Sequence, residues 1–573
     1  MHHIIHKDKE NLQKAHLKDY EKMRRGFSYE DHVHELVWFE KDKINAAYNA
    51  ITKNAYSPRR NKVALYFESA DGIKEKYTFL EIEELSNQIG NYLRDLGIDK
   101  GDRAFIFLPR VPVLYFAFIG ILKIGAVAGT LFSAFGPQAL FDRLLQSQAR
   151  ILITTKEMGE RVKSIRHKLP HLQKIVYIDS DFWTKVKKCD VELHIAQTHE
   201  DDDAFMLYTS GTTGRPKGVV HAHKAIVHEY LTARWVLDIH EEDVYWCTAD
   251  PGWVTGIAYE ILGTWANGAS TIVYEGRFDP SVWYRIIDEY NVSVWYSAPT
   301  AIRMLAAEKP ALLRDFNFSS LRHLASVGEP LNPEVIEWSL RAFGLPFHDN
   351  YFQTETGGIM IANYPSLPIR PGSMGKPFPG IKVHILDKDN RSCGVRKIGK
   401  LTFEPNWPSL MKKIWRRHLK YLSYFIKMQP SGKTVYVTGD LAYLDEDGYV
   451  WFIGRDDDVI KTAGERVGPF EVESALITHP DVVEAGVIGK PDEMRGEIIK
   501  AFVVLQKGVR GTDHKKAEIS AYVKKNLAGH AYPREIEFVD KLPKTRSGKI
   551  MRRILKAKEL GLPVGDTSTL EEY

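Results

Sequence analysis

From Lys62 to Val383 the sequence alternates short β-branched or aromatic runs with helical segments, and few folds accommodate that rhythm. The runs Ile151–Thr155, Val244–Thr248, Thr271–Tyr274 and Val292–Tyr296 are each separated by a helix-length stretch. The pattern predicts α/β layers on mixed, largely parallel sheets, with right-handed crossovers and ligands at the carboxyl ends of the strands. After Pro379 the rhythm changes. Ile381–Leu386, Lys400–Phe403, Thr434–Val437 and Tyr449–Ile453 read as strands joined by turns, with Asp447-Gly448 a strong turn pair. The charge cluster Gly454-Arg455-Asp456-Asp457-Asp458 then precedes a new βα pattern and a basic C-terminal end. The expected layout is a large N-terminal domain over 1–454, including a β-rich subdomain at about 380–454, and a smaller α+β C-terminal domain over 459–573.

At 573 residues the chain is long enough for two to four units, at roughly 100–200 residues each. Its 44% hydrophobic and 27% charged residues are the balance of a soluble globular protein. A net charge of +4 gives no case for nucleic-acid binding. Cys189, Cys247 and Cys393 are too scattered for a zinc site and fit reduced thiols in a cytoplasmic enzyme. The N-terminus is rich in His and Lys, without the apolar core of a secretory signal. Val111–Phe132 is apolar except for Lys123, and about 20 such residues can span a bilayer. Pro112, Gly120, Gly125 and Gly129 interrupt it, and its neighbours look like α/β elements, so a buried helix and strand are expected rather than a membrane span.

The segment Tyr208–Gly218 reads YTSGTTGRPKG and follows the apolar run Ala204–Leu207, with a helix expected from about Ala222. Gly211, Gly214 and Gly218 permit close backbone approach, Thr209, Ser210, Thr212 and Thr213 supply hydroxyls, and Lys217 supplies a cation. Such a loop suits a polyphosphate. It is not a Walker A motif, because Pro216 stands where that motif requires glycine.

This loop resembles the signature of the adenylate-forming superfamily of acyl-CoA synthetases, luciferases and adenylation domains. Further motifs follow in the family's order. Gln353-Thr354-Glu355-Thr356-Gly357 resembles the motif whose glutamate holds magnesium, and Tyr436-Val437-Thr438-Gly439-Asp440 the one whose aspartate binds ribose. Gly454-Arg455-Asp456-Asp457 resembles the hinge, and Pro543–Ile550 (PKTRSGKI) the C-terminal lysine loop. The set covers about Lys62 to Leu555.

The resemblance implies ATP, Mg²⁺ and coenzyme A as ligands, and assigns roles. Lys549 becomes the catalytic lysine and Glu355 the catalytic metal-bearing carboxylate. Thr209, Ser210, Gly211, Thr212, Thr213, Gly214 and Lys217 hold the phosphates. The turn Gly328-Glu329-Pro330 and the run Asp349, Asn350, Tyr351, Phe352, Gln353 and Thr354 line the adenosine pocket, with Asp440 and Arg455 on the ribose. The family rotates its C-terminal domain between half-reactions, here about a hinge at 455–458 centred on Asp457, bringing Gly464, Arg466 and Lys524 to coenzyme A. Lys549 would also be open to silencing by a protein acetyltransferase and reactivation by a deacetylase, since acetylation removes its charge.

The strings Thr248–Gly256, Ser326–Pro333 and Trp407-Pro408-Ser409 resemble acetyl-CoA synthetases. They imply an acyl pocket of Val254, Thr255 and Phe352, with Thr255 also facing coenzyme A. Medium-chain relatives tend to carry glycine before the Gln-Thr-Glu motif and acetate enzymes tryptophan, whereas this chain has Phe352. Acetate is the expected acid, with propionate next. The alternatives are a short- or medium-chain synthetase preferring propionate or butyrate, and an adenylation enzyme that loads a separate carrier protein.

Overall fold

Apolar runs buried on both faces build two large sheets in the N-terminal domain. Every residue of the strands Val127–Thr130, Ile151–Thr154 and Ser270–Tyr274 is buried, the condition of parallel strands covered by helices above and below. The computed structural model describes residues 3–7, 13–209, 216–462, 465–527, 531–544, 550–564, 567 and 570.

Among the described residues, one sheet has nine strands and the other seven. The first has a parallel centre, running Phe347–Tyr351, His323–Ser326, Val294–Ser297, Val244–Cys247, Ser270–Tyr274 and Val63–Glu68, with antiparallel strands at both edges. The second is parallel from Asp203–Thr209 through Val127–Thr130, Arg103–Phe107 and Ile151–Thr154 to Lys174–Tyr177. A third, antiparallel sheet joins Val383–Leu386, Gly399–Phe403, Thr434–Leu444, Phe425–Lys427 and Val450–Arg455. The C-terminal domain has its own sheet, centred on Val482–Asp492 and Gly496–Leu505, with the helices Pro469–Ile477, Asp513–Asn526 and Arg552–Glu559.

The apolar stretch at 111–132 is a helix, Pro112–Lys123, followed by the strand Val127–Thr130. The helix is buried all round because it lies against the helix Phe79–Asp95, which begins in a Thr78–Glu81 capping box. The two helices come so close that a Cβ on Gly120 would sit 2.7 Å from the Ser86 carbonyl oxygen. Among the described residues, no helix is long and apolar enough to cross a membrane.

Lys123, fully buried, is the polar exception on this helix. Its ammonium donates to Glu83 Oε2 at 2.6 Å, Asn87 Oδ1 at 2.7 Å and Ser86 Oγ at 2.8 Å. Burial holds its pKa down to about 8, and Glu83 works against that fall. Replacing it with Met leaves Glu83 buried without its cation. Lys123→Met is expected to cost about 3–5 kcal/mol, read as a lower denaturant midpoint for the N-terminal domain. An unchanged midpoint would show that the pair contributes nothing to stability.

Candidate active site

Four chain segments that leave the carboxyl ends of strands in the nine-stranded sheet gather at one cleft. They follow Cys247, Ser297, Ser326 and Tyr351. Thr209 and Lys217 enter from the seven-stranded sheet, and Asp440 and Arg455 from the antiparallel one.

The phosphate-loop segment connects two antiparallel strands, Asp203–Thr209 and Lys217–Ala222, with Thr209 in register opposite Lys217. The expected helix starts later, at Ala225, because the buried residues Val219–Ala222 extend the sheet first. Among the described residues, the segment is therefore followed by a strand and not a helix, and Lys217 is the first residue of that strand. Ser210, Gly211, Thr212, Thr213 and Gly214 lie outside the described residues, as do Gly464 and Lys549.

Gln353 joins the first and third sheets. Its amide donates to Thr438 O at 3.0 Å and Asp440 Oδ2 at 2.9 Å, and its Oε1 accepts from the Tyr436 hydroxyl at 2.8 Å. The Tyr351 hydroxyl also donates to Asp440 Oδ2, while Arg455 Nη1 lies 3.6 Å from Oδ1. The neighbouring Asp440 and Asp457 carboxylates raise the Arg455 pKa against the effect of burial, so the guanidinium stays charged. Asp457, half exposed, accepts from Arg455 Nε at 3.3 Å.

On the other side of Gln353, Glu355 is largely buried. Its Oε1 accepts from the Tyr424 hydroxyl at 2.9 Å and lies 3.7 Å from Lys217 Nζ. A largely buried carboxylate with a cation beside it is a hard oxygen donor of the kind magnesium takes, and the residues present fit that ion. Thr354 contributes its carbonyl, which accepts from His221 Nε2 at 2.8 Å.

The turn after His323–Ser326 has Gly328 at φ +96°, a backbone conformation side-chain-bearing residues rarely adopt. Glu329 is held by Thr300 Oγ1 at 2.9 Å and Arg303 Nη2 at 3.0 Å, and Pro330 continues the turn. Asp349 and Asn350 are buried beside it. Burial pushes the Asp349 carboxyl well above the usual range. Its Oδ1 and Asn350 Nδ2 have no hydrogen-bond partner among the described residues, which leaves polar capacity at this end of the cleft. The contact Asn332 Nδ2 to Ser474 Oγ, at 2.7 Å, seats the C-terminal domain beside the same turn.

Val254 is buried and Thr255 half-buried where the Thr248–Gly256 segment enters the π-helical turn Gly256–Leu262. Phe352 packs edge-to-face on Tyr259 from that turn, with ring centroids 5.4 Å apart. Arg466 and Lys524 stand exposed on separate elements of the C-terminal domain, the strand Glu465–Val467 and the helix Asp513–Asn526. Among the described residues neither joins the network around Asp440.

Residues 51–415 match the AMP-binding enzyme family, and residues 471–549 match the AMP-binding enzyme C-terminal domain. The chain belongs to the AMP-binding enzyme family. An acetyl-coenzyme A synthetase of Bacillus subtilis is 52% identical over 97% of this chain and 98% of that protein. One of Methanothrix thermoacetophila is 42% identical over 93% of this chain and 86% of that protein. Among solved structures, an acyl-CoA synthetase of Brucella canis aligns with a TM-score of 0.72 at 36% identity, covering 95% of this chain and 99% of that one. An anthranilate CoA ligase bound to anthranoyl-AMP aligns with a TM-score of 0.84 at 30% identity, covering 93% and 99%.

Several residues of this cleft are not marked by any local sequence motif because their partners are remote in the chain. Tyr424 meets Lys217 and Glu355 from 207 and 69 residues away. Arg110 crosses from one large sheet to the other, donating to Cys247 O at 3.1 Å and to Glu260 Oε1 at 2.9 Å. Tyr115 donates to the other Glu260 oxygen, and burial raises the Glu260 pKa to about 7. Tyr436 did lie inside a quoted motif, and only the fold shows that its hydroxyl holds Gln353.

Asp440 collects the Tyr351 hydroxyl, the Gln353 amide and Arg455. Asp440→Ala removes that shared acceptor. It is expected to raise the KM for ATP about 10–100-fold, the size of lost hydrogen bonds to a charge. Steady-state kinetics beside a thermal melt checks this, and an unchanged KM would separate Asp440 from nucleotide binding.

Proposed function

We propose that this chain ligates acetate to coenzyme A through acetyl-adenylate, releasing AMP and pyrophosphate. The observation that carries this reading is the convergence of Lys217, Glu355 and Asp440 on one cleft, in a chain 52% identical over 97% of its length to an acetyl-coenzyme A synthetase. ATP, Mg²⁺ and coenzyme A are the ligands of this chemistry.

In the first half-reaction an acetate oxygen attacks the α-phosphorus of ATP, and the bond to the β-phosphate breaks. Two anions meet, so preorganised positive charge decides the rate. Lys217 and Lys549 supply it from opposite domains. Glu355 would hold magnesium, which would neutralise phosphate charge when bound. Asp440 and Arg455 hold the ribose. Gly328, Glu329 and Pro330 form the adenine turn with Asp349 and Asn350, whose open polar atoms suit a base edge.

In the second half-reaction the coenzyme A thiol loses its proton, sulfur attacks the acyl carbon, and AMP leaves. Arg466, Lys524 and Gly464 face coenzyme A once residues 459–573 rotate against 1–454 about the hinge at 455–458. The β-rich subdomain at 380–454 stays with the large domain. The enzyme works in the cytoplasm, and a protein acetyltransferase with its deacetylase acts on Lys549.

Phe352 limits chain length, with Val254 and Thr255 as the other walls. In a panel of C2 to C8 acids, the wild type is expected to release AMP and pyrophosphate fastest with acetate. Phe352→Gly is expected to shift that preference to butyrate or longer. A wild type that prefers octanoate, or that makes ADP, would overturn the reading.

The division of labour has its own test. Lys549→Ala is expected to lower acetate-dependent pyrophosphate exchange by about 10²–10³, yet still to convert supplied acetyl-adenylate and coenzyme A to thioester. Asp457→Pro restricts φ and should do the reverse. Equal loss of both half-reactions in Lys549→Ala would refute the two-pose scheme.

A further inference from the structure

Lys217 and Glu355 present a difficulty. One is a cation meant for phosphate and the other an anion meant for magnesium, and they face each other in a largely buried pocket. Their side chains are only 13% and 12% exposed. In such surroundings a direct ion pair forms readily, at about 2.7–2.9 Å. It would turn both charges towards each other and away from the nucleotide. The observed separation is 3.7 Å.

What stands between them is the Tyr424 hydroxyl. It accepts from Lys217 Nζ at 2.7 Å and donates to Glu355 Oε1 at 2.9 Å. The phenol uses one lone pair and its one proton on two opposite charges, so it bridges them and holds the ion pair at 3.7 Å instead of direct hydrogen-bond contact. The ring is fixed independently of these bonds. It stacks on Tyr436 with centroids 5.8 Å apart and planes 1° apart, and the Tyr436 hydroxyl is bonded to Gln353. The Lys420 ammonium lies 5.2 Å from the Tyr424 ring centroid. Burial and the adjacent Glu355 raise the Tyr424 pKa, so the hydroxyl keeps its proton.

We infer that Tyr424 is a positioning residue for adenylate formation, a hydroxyl spacer that keeps Lys217 and Glu355 out of direct hydrogen-bond contact and orients the carboxylate that would hold magnesium. This rests on the function proposed above, and it predicts a defect confined to the metal- and phosphate-dependent half-reaction.

The test is Tyr424→Phe, which keeps the ring and its stack and removes only the oxygen. Acetate-dependent ATP–pyrophosphate exchange is titrated with MgCl₂ in the variant and the wild type. The Mg²⁺ concentration for half-maximal exchange is expected to rise about 10–100-fold, the usual effect of losing a partner that orients a metal ligand. Thioester formation from supplied acetyl-adenylate and coenzyme A is expected to stay within about twofold of wild type, because it needs neither pyrophosphate nor its metal, and the melting temperature is expected to hold. A variant whose Mg²⁺ dependence matches a working wild type overturns the spacer role, as does equal loss of both half-reactions. A wild type without acetate-dependent exchange overturns the proposed function, and this inference with it.

Discussion

The side-chain amide of Gln353 is the junction on which the cleft depends. Both its donated bonds go to the antiparallel sheet, at Thr438 and Asp440, and its oxygen accepts from Tyr436 of the same strand. Its own backbone belongs to the segment that leaves the nine-stranded sheet at Tyr351, and the Thr356 hydroxyl closes a turn on its N–H at 2.9 Å. An amide bonded at three points cannot swing without breaking several bonds at once, in surroundings where unpaired polar groups are costly. The residues on either side are fixed with it. Phe352 is directed to Tyr259 on one side and Glu355 to Tyr424 and Lys217 on the other.

The second constraint is charge. The cleft must receive a polyphosphate and a carboxylate, so it needs cations, yet its framework also buries carboxylates. The structure deals with each in a different way. Glu260 is paired with Arg110 and capped by Tyr115, which fastens the segment after Cys247 to the end of Arg103–Phe107. Glu329 is held by Thr300 and Arg303. Both pairs are structural, and both leave the backbone beside them in place. Lys217 and Glu355 are bridged by the Tyr424 hydroxyl, 3.7 Å apart.

The strand and helix layers were legible in the sequence because burial on both faces leaves long apolar runs. Ile151–Thr155 and Thr271–Tyr274 fall within a residue of the observed strands Ile151–Thr154 and Ser270–Tyr274. The motifs were legible as well, since glycines and acids at fixed spacing reflect local backbone needs. The strand Lys217–Ala222 was not separated from the following helix, because a short buried run of Val and His has no period that distinguishes the two. Long-range partners left no local trace. Nothing near Tyr424 announces Glu355, and nothing near Arg110 announces Glu260, 150 residues on. Such pairs exist only once the sheets have brought their strand ends together.

Position 352 shows how a departure from a family pattern is absorbed. A phenyl ring at 352 covers less area than an indole, and a smaller wall could rock into the space behind it. Tyr259 prevents this. It meets Phe352 edge-on, the arrangement aromatic quadrupoles favour. Its own hydroxyl accepts from Ile359 N at 2.7 Å and bonds Thr232 Oγ1 at 2.8 Å, so it cannot retreat. The helical segment that carries Tyr259 is a π turn, wider than an α turn, and it also carries Glu260 towards Arg110. Successive residues of one irregular turn therefore brace Phe352 and tie it to the strand ends. How firmly the ring at 352 is held is a property of that turn as much as of position 352, because a side chain yields only as far as the layer behind it allows.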